Sequence, residues 1–347
     1  MLASLSRADT RTAITDLRTL LEKLPASAGI AVCAHTRPDG DAIGSVTAFC
    51  TALMVAGFCP TALLADNTAV PQAYHWMPQA ASFVTSRQLE QAGLASEFDL
   101  FVALDTPELA RLGEAGPFCQ AAKTRVLIDH HPQRNPYTEL AIVATDAAAV
   151  GQLIWELLPE LGLARSPEIA TACYVALLSD SGSFSFSNTD ACALSDAAAM
   201  VAAGADPSLV AYELFGKKPL AALKLEELIL SRIQLENEGA VVCSWYSSAD
   251  LERLKVSSDW TENLIDLIRV VEGTQIAVLL VEGSKGGRVS LRSGGAFDVS
   301  AVATRFGGGG HHAAAGITWP DVTASCEDML AALLPLLPKG SVTRPAA

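Results

Sequence analysis

Positive charge is in short supply in this chain. Its 24 Lys and Arg face 38 Asp and Glu, a formal net charge of -14, which excludes a protein that coats long nucleic acid through many cationic contacts to phosphates. A small anionic ligand stays compatible if positive charge or metal is concentrated locally. Cysteine pairs are missing as well. Cys33, Cys50, Cys59, Cys119, Cys173, Cys192, Cys243 and Cys326 are scattered with no C-x-x-C spacing, which argues against a disulfide framework or a zinc site. They read as reduced, mostly buried small side chains. The opening MLASLSRADTRTAITDLRTLLEKL is amphipathic with charges throughout, so neither a signal peptide nor a membrane span is expected, and the cytoplasm is the default location. No internal repeat is present. What the 347 residues do contain is apolar side chains, 50% of the total against 18% charged. That is enough for two or more domains with their own cores, and it excludes a disordered chain.

Short apolar runs alternate with helical patterns up to about residue 205. GIAVCAH (29–35), PTALLAD (60–66), FDLFVALD (98–105) and TRVLIDHH (124–131) read as buried strands, with AIGSVTAFCTALMVAG (42–57) as a helix between the first two. The alternation predicts an α/β fold, a doubly wound and mainly parallel sheet. Residues 206–238 are helical in period with mixed charges, and are expected to form a helical linker. AVVCSWYSS, QIAVLLVEG and GRVSLRS then read as strands, 261–271, 298–305 and 323–334 as helices. They predict a smaller α+β domain over 239–338, followed by a frayed tail, 339–347.

Histidine is scarce, and its placement is informative. Five of the six histidines fall in three polar clusters: His35, His130 with His131, and His311 with His312. His35, Asp39 and Asp41 follow one predicted strand, Asp105 ends another, Asp129, His130 and His131 end a third, and Asp180 follows a further apolar run. Singly, each acid would be an ordinary helix cap or turn residue. Together they mark the carboxyl ends of strands, where doubly wound sheets build their ligand crevice. Oxygen-rich sets with a few imidazoles suit Mn²⁺ or Mg²⁺. Four carboxylates, Asp39, Asp41, Asp105 and Asp180, would repel one another without metal and would neutralise two divalent cations. Such a pair, roughly 3.5–4 Å apart, clamps the attacking and leaving oxygens of a phosphoryl displacement.

H-T-R-P-D-G-D-A-I-G-S, the V-A-L-D strand end, L-I-D-H-H and L-L-S-D-S-G-S-F occur in that order, followed by R-S-G-G-A-F-D-V-S-A-V-A-T-R-F-G-G-G-G-H-H-A-A-A-G. In these motifs the chain resembles the DHH phosphoesterase superfamily, with its nucleotide-binding DHH-associated domain, from about residue 29 to 316. The branch it is most similar to is the bacterial nano-RNase group. The resemblance implies hydrolysis of very short RNA to 5'-nucleotides and removal of phosphate from 3'-phosphoadenosine 5'-phosphate, by attack of a metal-bridging hydroxide on phosphorus. Two divalent ions are implied, Mn²⁺ first, with Mg²⁺ or Co²⁺ as substitutes. His35, Asp39 and Asp105 would hold one ion, and Asp41, Asp105, His130 and Asp180 the other. Asp129 would orient a histidine ring, and His131 would bond the scissile phosphate and assist the leaving oxygen.

Within that resemblance, Gly308, Gly309 and Gly310 are expected to turn backbone N–H groups toward an anion. Arg292, His311 and His312, with Arg111 from the catalytic domain, would recognise the phosphate end or base of the substrate. Metals on one domain and a phosphate cradle on the other would select short ligands. Partners are therefore expected to be short RNA and small nucleotides, with no long duplex, no membrane, and a homodimer as the family-based expectation. Two departures from the pattern are Ser181 in place of Thr and Gln152 in place of an acid. The alternatives are a phosphodiesterase for cyclic or linear dinucleotides, a pyrophosphatase or exopolyphosphatase sharing the catalytic half, and a nucleotide-binding regulatory module without activity.

Overall fold

The computed structural model describes residues 5, 8–93, 98–132, 136–257, 260–261, 263–283, 286–294, 296–319 and 324–340, without the side chains of Ala8 and His311. The chain divides into two compact units, Met1–Lys217 and Lys218–Ala347. The first is built on a six-stranded sheet of β1 (Ile30–Cys33), β2 (Thr61–Leu64), β3 (Val84–Thr85), β4 (Leu100–Leu104), β5 (Thr124–Asp129) and β6 (Leu140–Val143). Its order is β3-β2-β1-β4-β5-β6 and every pair is parallel. The doubly wound sheet is thus present, with the direction of strand addition reversing between β1 and β4. The four strands legible in the sequence are β1, β2, β4 and β5. Two short outer strands, β3 and β6, were not anticipated; β3 is only two residues, whereas β6 is the apolar run LAIV.

Eight helices complete this unit: α1 (Ala8–Lys23), α2 (Gly40–Val55), α3 (Ser86–Gln91), α4 (Gly116–Ala121), α5 (Val150–Glu160), α6 (Pro167–Asp180), α7 (Ala191–Ala202) and α8 (Pro207–Ala211). Strands β1 and β4 are buried along their whole length, the pattern of a parallel sheet covered on both faces. Helices α2, α5 and α6 pack so closely that only glycine fits at two positions. A Cβ at Gly44 would lie 2.5 Å from the Ala172 carbonyl oxygen, and one at Gly151 would lie 2.2 Å from the Ala176 Cβ. Asp180, which follows a further apolar run, is the last residue of α6.

The second unit carries a mixed sheet of β7 (Gln234–Glu236), β8 (Val241–Ser247), β9 (Ile276–Glu282), β10 (Gly287–Ser293), β11 (Gly309–His311) and β12 (Ala314–Trp319), in the order β11-β12-β10-β9-β8-β7. Only β8 and β9 run parallel. Its helices are α9 (Leu220–Ser231), α10 (Ser248–Leu254), α11 (Val299–Arg305) and α12 (Cys326–Leu333). Among its described residues, the stretch read as a helix over 261–271 forms a 3₁₀ turn, Leu264–Leu267, and no α-helix. The 206–238 segment is helical through α8 and α9, but the boundary between the units falls inside it and β7 occupies its end. Residues 341–347 of the expected tail lie outside the described residues. Among the described residues no helix is long and apolar enough to cross a membrane.

Candidate metal centre

Three neighbouring strands, β1, β4 and β5, deliver the predicted side chains to the carboxyl edge of the parallel sheet, at the reversal point where such sheets bind ligands. The turn after β1 carries His35 and leads to Asp39, the N-cap of α2, whose Oδ1 accepts from the Ala42 N–H at 3.0 Å. Asp41 follows in the first turn. Asp105 comes directly after β4, in a left-handed backbone conformation (φ 52°) that costs a non-glycine residue of the order of 1 kcal/mol. Asp129 is the last residue of β5, and α6 brings Asp180 in from above the strands.

The side chains converge on Asp105, which is 3% exposed. The Nε2 of His35 lies 3.2 Å from its Oδ2 and 3.8 Å from Asp39 Oδ1. The Nε2 of His130 lies 3.7 Å from Asp105 Oδ1 and 3.5 Å from Asp180 Oδ2. Both rings are oriented from behind, His35 Nδ1 by its own neighbour's carbonyl at Thr36 (2.8 Å) and His130 Nδ1 by Ala147 O (3.1 Å). Donation there leaves each Nε2 as the lone-pair nitrogen facing the acids. Asp129 Oδ1 accepts from both the backbone N–H (2.8 Å) and the ring Nδ1 (3.0 Å) of His131. The same ring nitrogen is 3.2 Å from Asp105 Oδ1, but its hydrogen bond is directed to Asp129. Asp105 Oδ1 is consequently buried with no hydrogen-bond partner among the described residues, as is Asp129 Oδ2.

Charge crowding is visible in the proton affinities. Burial, then the carboxylates of Asp105, Asp180 and Asp39, push Asp41 well above the usual carboxylate range. Burial raises Asp180 to about 6, with His130 opposing and Asp39 and Asp105 reinforcing. Asp105 goes the other way: burial alone would raise it, and the adjoining His131 and His35 hold it far below normal. For His131, burial is outweighed by Asp105 and Asp129, which lift it to about 10. His35 is raised too; burial lowers it, Asp105 and Asp39 more than compensate, and the charge of Arg111 opposes them.

Among the described residues, four groups have donor atoms within 4.8 Å of one another and could hold a metal ion, three of them here: His35–Asp39–Asp105, Asp41–His130–Asp180 and Asp105–His130–His131. The fit to a hard divalent cation is good on chemical grounds, because the donors are carboxylate oxygens and imidazole nitrogens and a buried carboxylate oxygen at their centre makes no hydrogen bond among the described residues. The structure therefore brings together His35, Asp39, Asp41, Asp105, Asp129, His130, His131 and Asp180, with Arg111 close enough to act on His35. It also shows residues that nothing in the sequence singled out. Ser45 Oγ and the N–H groups of Val150 and Gly151 donate to Asp41 at 2.8, 2.7 and 2.9 Å, and Asn188 bonds the Asp180 carbonyl at 3.0 Å.

Arg292, Gly308, Gly309, Gly310, His311 and His312 belong to the second unit. Pairing of β10, β12 and β11 puts Arg292, Ala314 and His311 in one row across the sheet. The side chain of His311 lies outside the described residues, and His312 is exposed. The glycine run divides between a helix end and an edge strand: the N–H groups of Gly307 and Gly308 already donate to Thr304 O and Ala303 O behind α11, and Gly309 and Gly310 pair with β12.

Residues 29–177 match the DHH family, N-terminal domain, and residues 241–337 match the DHHA1 domain. A protein of Thermus thermophilus named bifunctional oligoribonuclease and PAP phosphatase NrnA is 30% identical over 303 residues, 87% of this chain and 88% of that one. The chain belongs to the DHH family. As a DHH-family member it is a hydrolase acting on phosphoester bonds. The Bacillus subtilis protein of the same name is 28% identical over 81% of this chain and 86% of its own length. Among solved structures, an exopolyphosphatase-related protein from Bacteroides fragilis superposes with a TM-score of 0.85 at 20% identity, covering 94% of this chain and 96% of that one. At that identity the likeness concerns the DHH fold, both units included.

Proposed function

We propose that this DHH-family chain hydrolyses short RNA oligonucleotides to 5'-mononucleotides and removes the 3'-phosphate of 3'-phosphoadenosine 5'-phosphate, with two divalent cations, Mn²⁺ foremost. One observation carries the reading. The unpartnered oxygen of Asp105 sits at the centre of a carboxylate and imidazole cluster, in a chain whose relatives over most of its length are named for those two activities. His35, Asp39 and Asp105 are assigned to one ion, and Asp41, Asp105, His130 and Asp180 to the other. When bound, the ions supply Lewis-acid activation of water and of the phosphoryl group.

The chain's own residues do the rest. Asp129, anchored in β5, fixes the His131 ring through Nδ1, so that Nε2 is the atom turned to the substrate. A proton held there serves first as a hydrogen-bond donor to a phosphate oxygen and then for the departing ribose oxygen. Arg111 adds positive charge beside His35. Arg292 and the Gly309–His312 segment are assigned to binding the anionic end and the base of the substrate.

The test is product release from a ladder of 5'-labelled RNAs, from the dinucleotide upward, beside 3'-phosphoadenosine 5'-phosphate and cyclic di-AMP, with Mn²⁺-loaded protein and Asp105→Ala. Cleavage of the shortest RNAs and of the bisphosphate, lost in Asp105→Ala, is the expected result. Preference for cyclic di-AMP would move the substrate to the dinucleotide signals. Binding without turnover would refute the hydrolytic reading.

A further inference from the structure

The turn that leads into α5, with the first residues of that helix, holds two of the assigned metal ligands at once. Its Ala147 carbonyl holds His130, and its Val150 and Gly151 N–H groups hold both oxygens of Asp41. Two side-chain amides hold the turn itself. Asn188 Nδ2 donates to Ala148 O and to Asp180 O, each at 3.0 Å, tying the start of α5 to the end of α6. Gln152 Oε1 accepts from the Ala148 N–H at 2.8 Å, and its Nε2 donates to Asp196 Oδ2 on α7, also at 2.8 Å. Gln152 is fully buried, so both ends of its amide need these partners. A primary amide carries its acceptor and its donors on separate atoms, so it can bridge an N–H and a carboxylate. An acid at 152, as the resemblance leads one to expect, would set a second carboxylate against Asp196.

Resting on the reading that the centre binds divalent cations, we propose that Asn188 and Gln152 are positioning residues that set its metal affinity. They do so by fixing the turn on which His130 and Asp41 lean, with Asn188 also tying that turn to the backbone carbonyl of Asp180. Neither touches the reacting atoms. Ligands to a metal must be held close to their productive geometry by partners of this kind, whose loss typically lowers affinity about 10–100-fold.

The experiment is a Mn²⁺ titration of the metal-free full-length chain, read as free Mn²⁺ by electron paramagnetic resonance, for wild type, Asn188→Ala and Gln152→Glu. Thermal melts in chelator accompany it. Asn188 is exposed, so Asn188→Ala removes no buried volume and its chelated melt is expected to match wild type. Its Mn²⁺ affinity is expected to fall about tenfold. Gln152→Glu keeps the acceptor for Ala148 and loses the donor to Asp196, and is expected to weaken Mn²⁺ binding as well. If Asn188→Ala does not fold, Gln152→Glu decides. Affinities of the folded variants within about twofold of wild type would overturn the inference, because that is well below a typical supporting-shell effect. A wild-type chain that binds no Mn²⁺ would instead refute the metal reading on which it rests.

Discussion

Stripping divalent metal from the chain with a chelator leaves Asp39, Asp41, Asp105 and Asp180 among three histidines with only protons to offset their charge. The folded-state pKa of His131 is about 10 against an ordinary 6.5, and that of His35 is also raised. Stability from these rings is therefore complete below pH 6.5 and is lost as pH rises toward 10. Asp180, raised to about 6, and Asp41, raised as well, act in the same direction: their protonated forms favour the fold, and the benefit fades as pH climbs through their folded values. Over the two pH units above 6.5, His131 alone contributes a loss of about 2–3 kcal/mol at 1.36 kcal/mol per unit. The depression of Asp105 is the same interaction and is counted once. For a unit of 217 residues this corresponds to a fall in Tm of about 5–10 °C. Mn²⁺ supplies the positive charge that those protons otherwise provide to the carboxylates, so its binding tightens as pH rises. The difference in Tm between Mn²⁺-loaded and chelated protein should accordingly widen from pH 6.5 to 8.5. Scanning calorimetry of both forms across that range tests it. A chelated Tm that is flat or rising with pH, or a constant difference between the two forms, would refute the reasoning.

Gly151→Ala places a methyl group 2.2 Å from Ala176 Cβ and 3.1 Å from the Cys173 carbonyl oxygen. Overpacking of that kind costs about 1–3 kcal/mol, and because the Gly151 N–H bonds Asp41, Mn²⁺ affinity should fall with Tm; an unchanged melt would show that α5 and α6 separate freely. His131→Gln should keep Mn²⁺ binding and lower kcat about 10²–10⁴-fold, with retention of full kcat removing the proton role from that ring. Arg292→Met should raise KM for short RNA with little change in kcat, and an unaltered KM would take Arg292 out of substrate binding.

Much of the candidate site was legible because its ligands sit where the chain changes character, at the ends of apolar runs. The L-I-D-H-H ending of β5 and the V-A-L-D ending of β4 pair a buried strand with a titratable residue, and a strand end needs no tertiary information to be recognised. Asp180 was legible as an acid after an apolar run but not as a helix end, since a short, uniformly apolar stretch reads alike for a buried strand and a buried helix. Strand β3 was silent because two residues carry no period, while β6, an apolar run as long as β1 and β2, was overlooked although it was there to be read. Asn188 and the Val150 and Gly151 amides were invisible for a different reason: backbone groups and a lone polar side chain in a turn have no signature until the fold brings them to a ligand.

By itself the order of residues determined the parallel α/β layout of the first unit, the second α+β unit, and which carboxylates and imidazoles are available for metal, since periodicity and strand endings are local properties. Only the tertiary structure decided that β1, β4 and β5 lie side by side, so that residues as far apart as His35 and Asp180 surround one carboxylate. It alone decided that Asp105 Oδ1 is buried without a hydrogen bond among the described residues, and that the start of α5 supports both His130 and Asp41, because burial and long-range hydrogen bonds exist only once the strands and helices are packed.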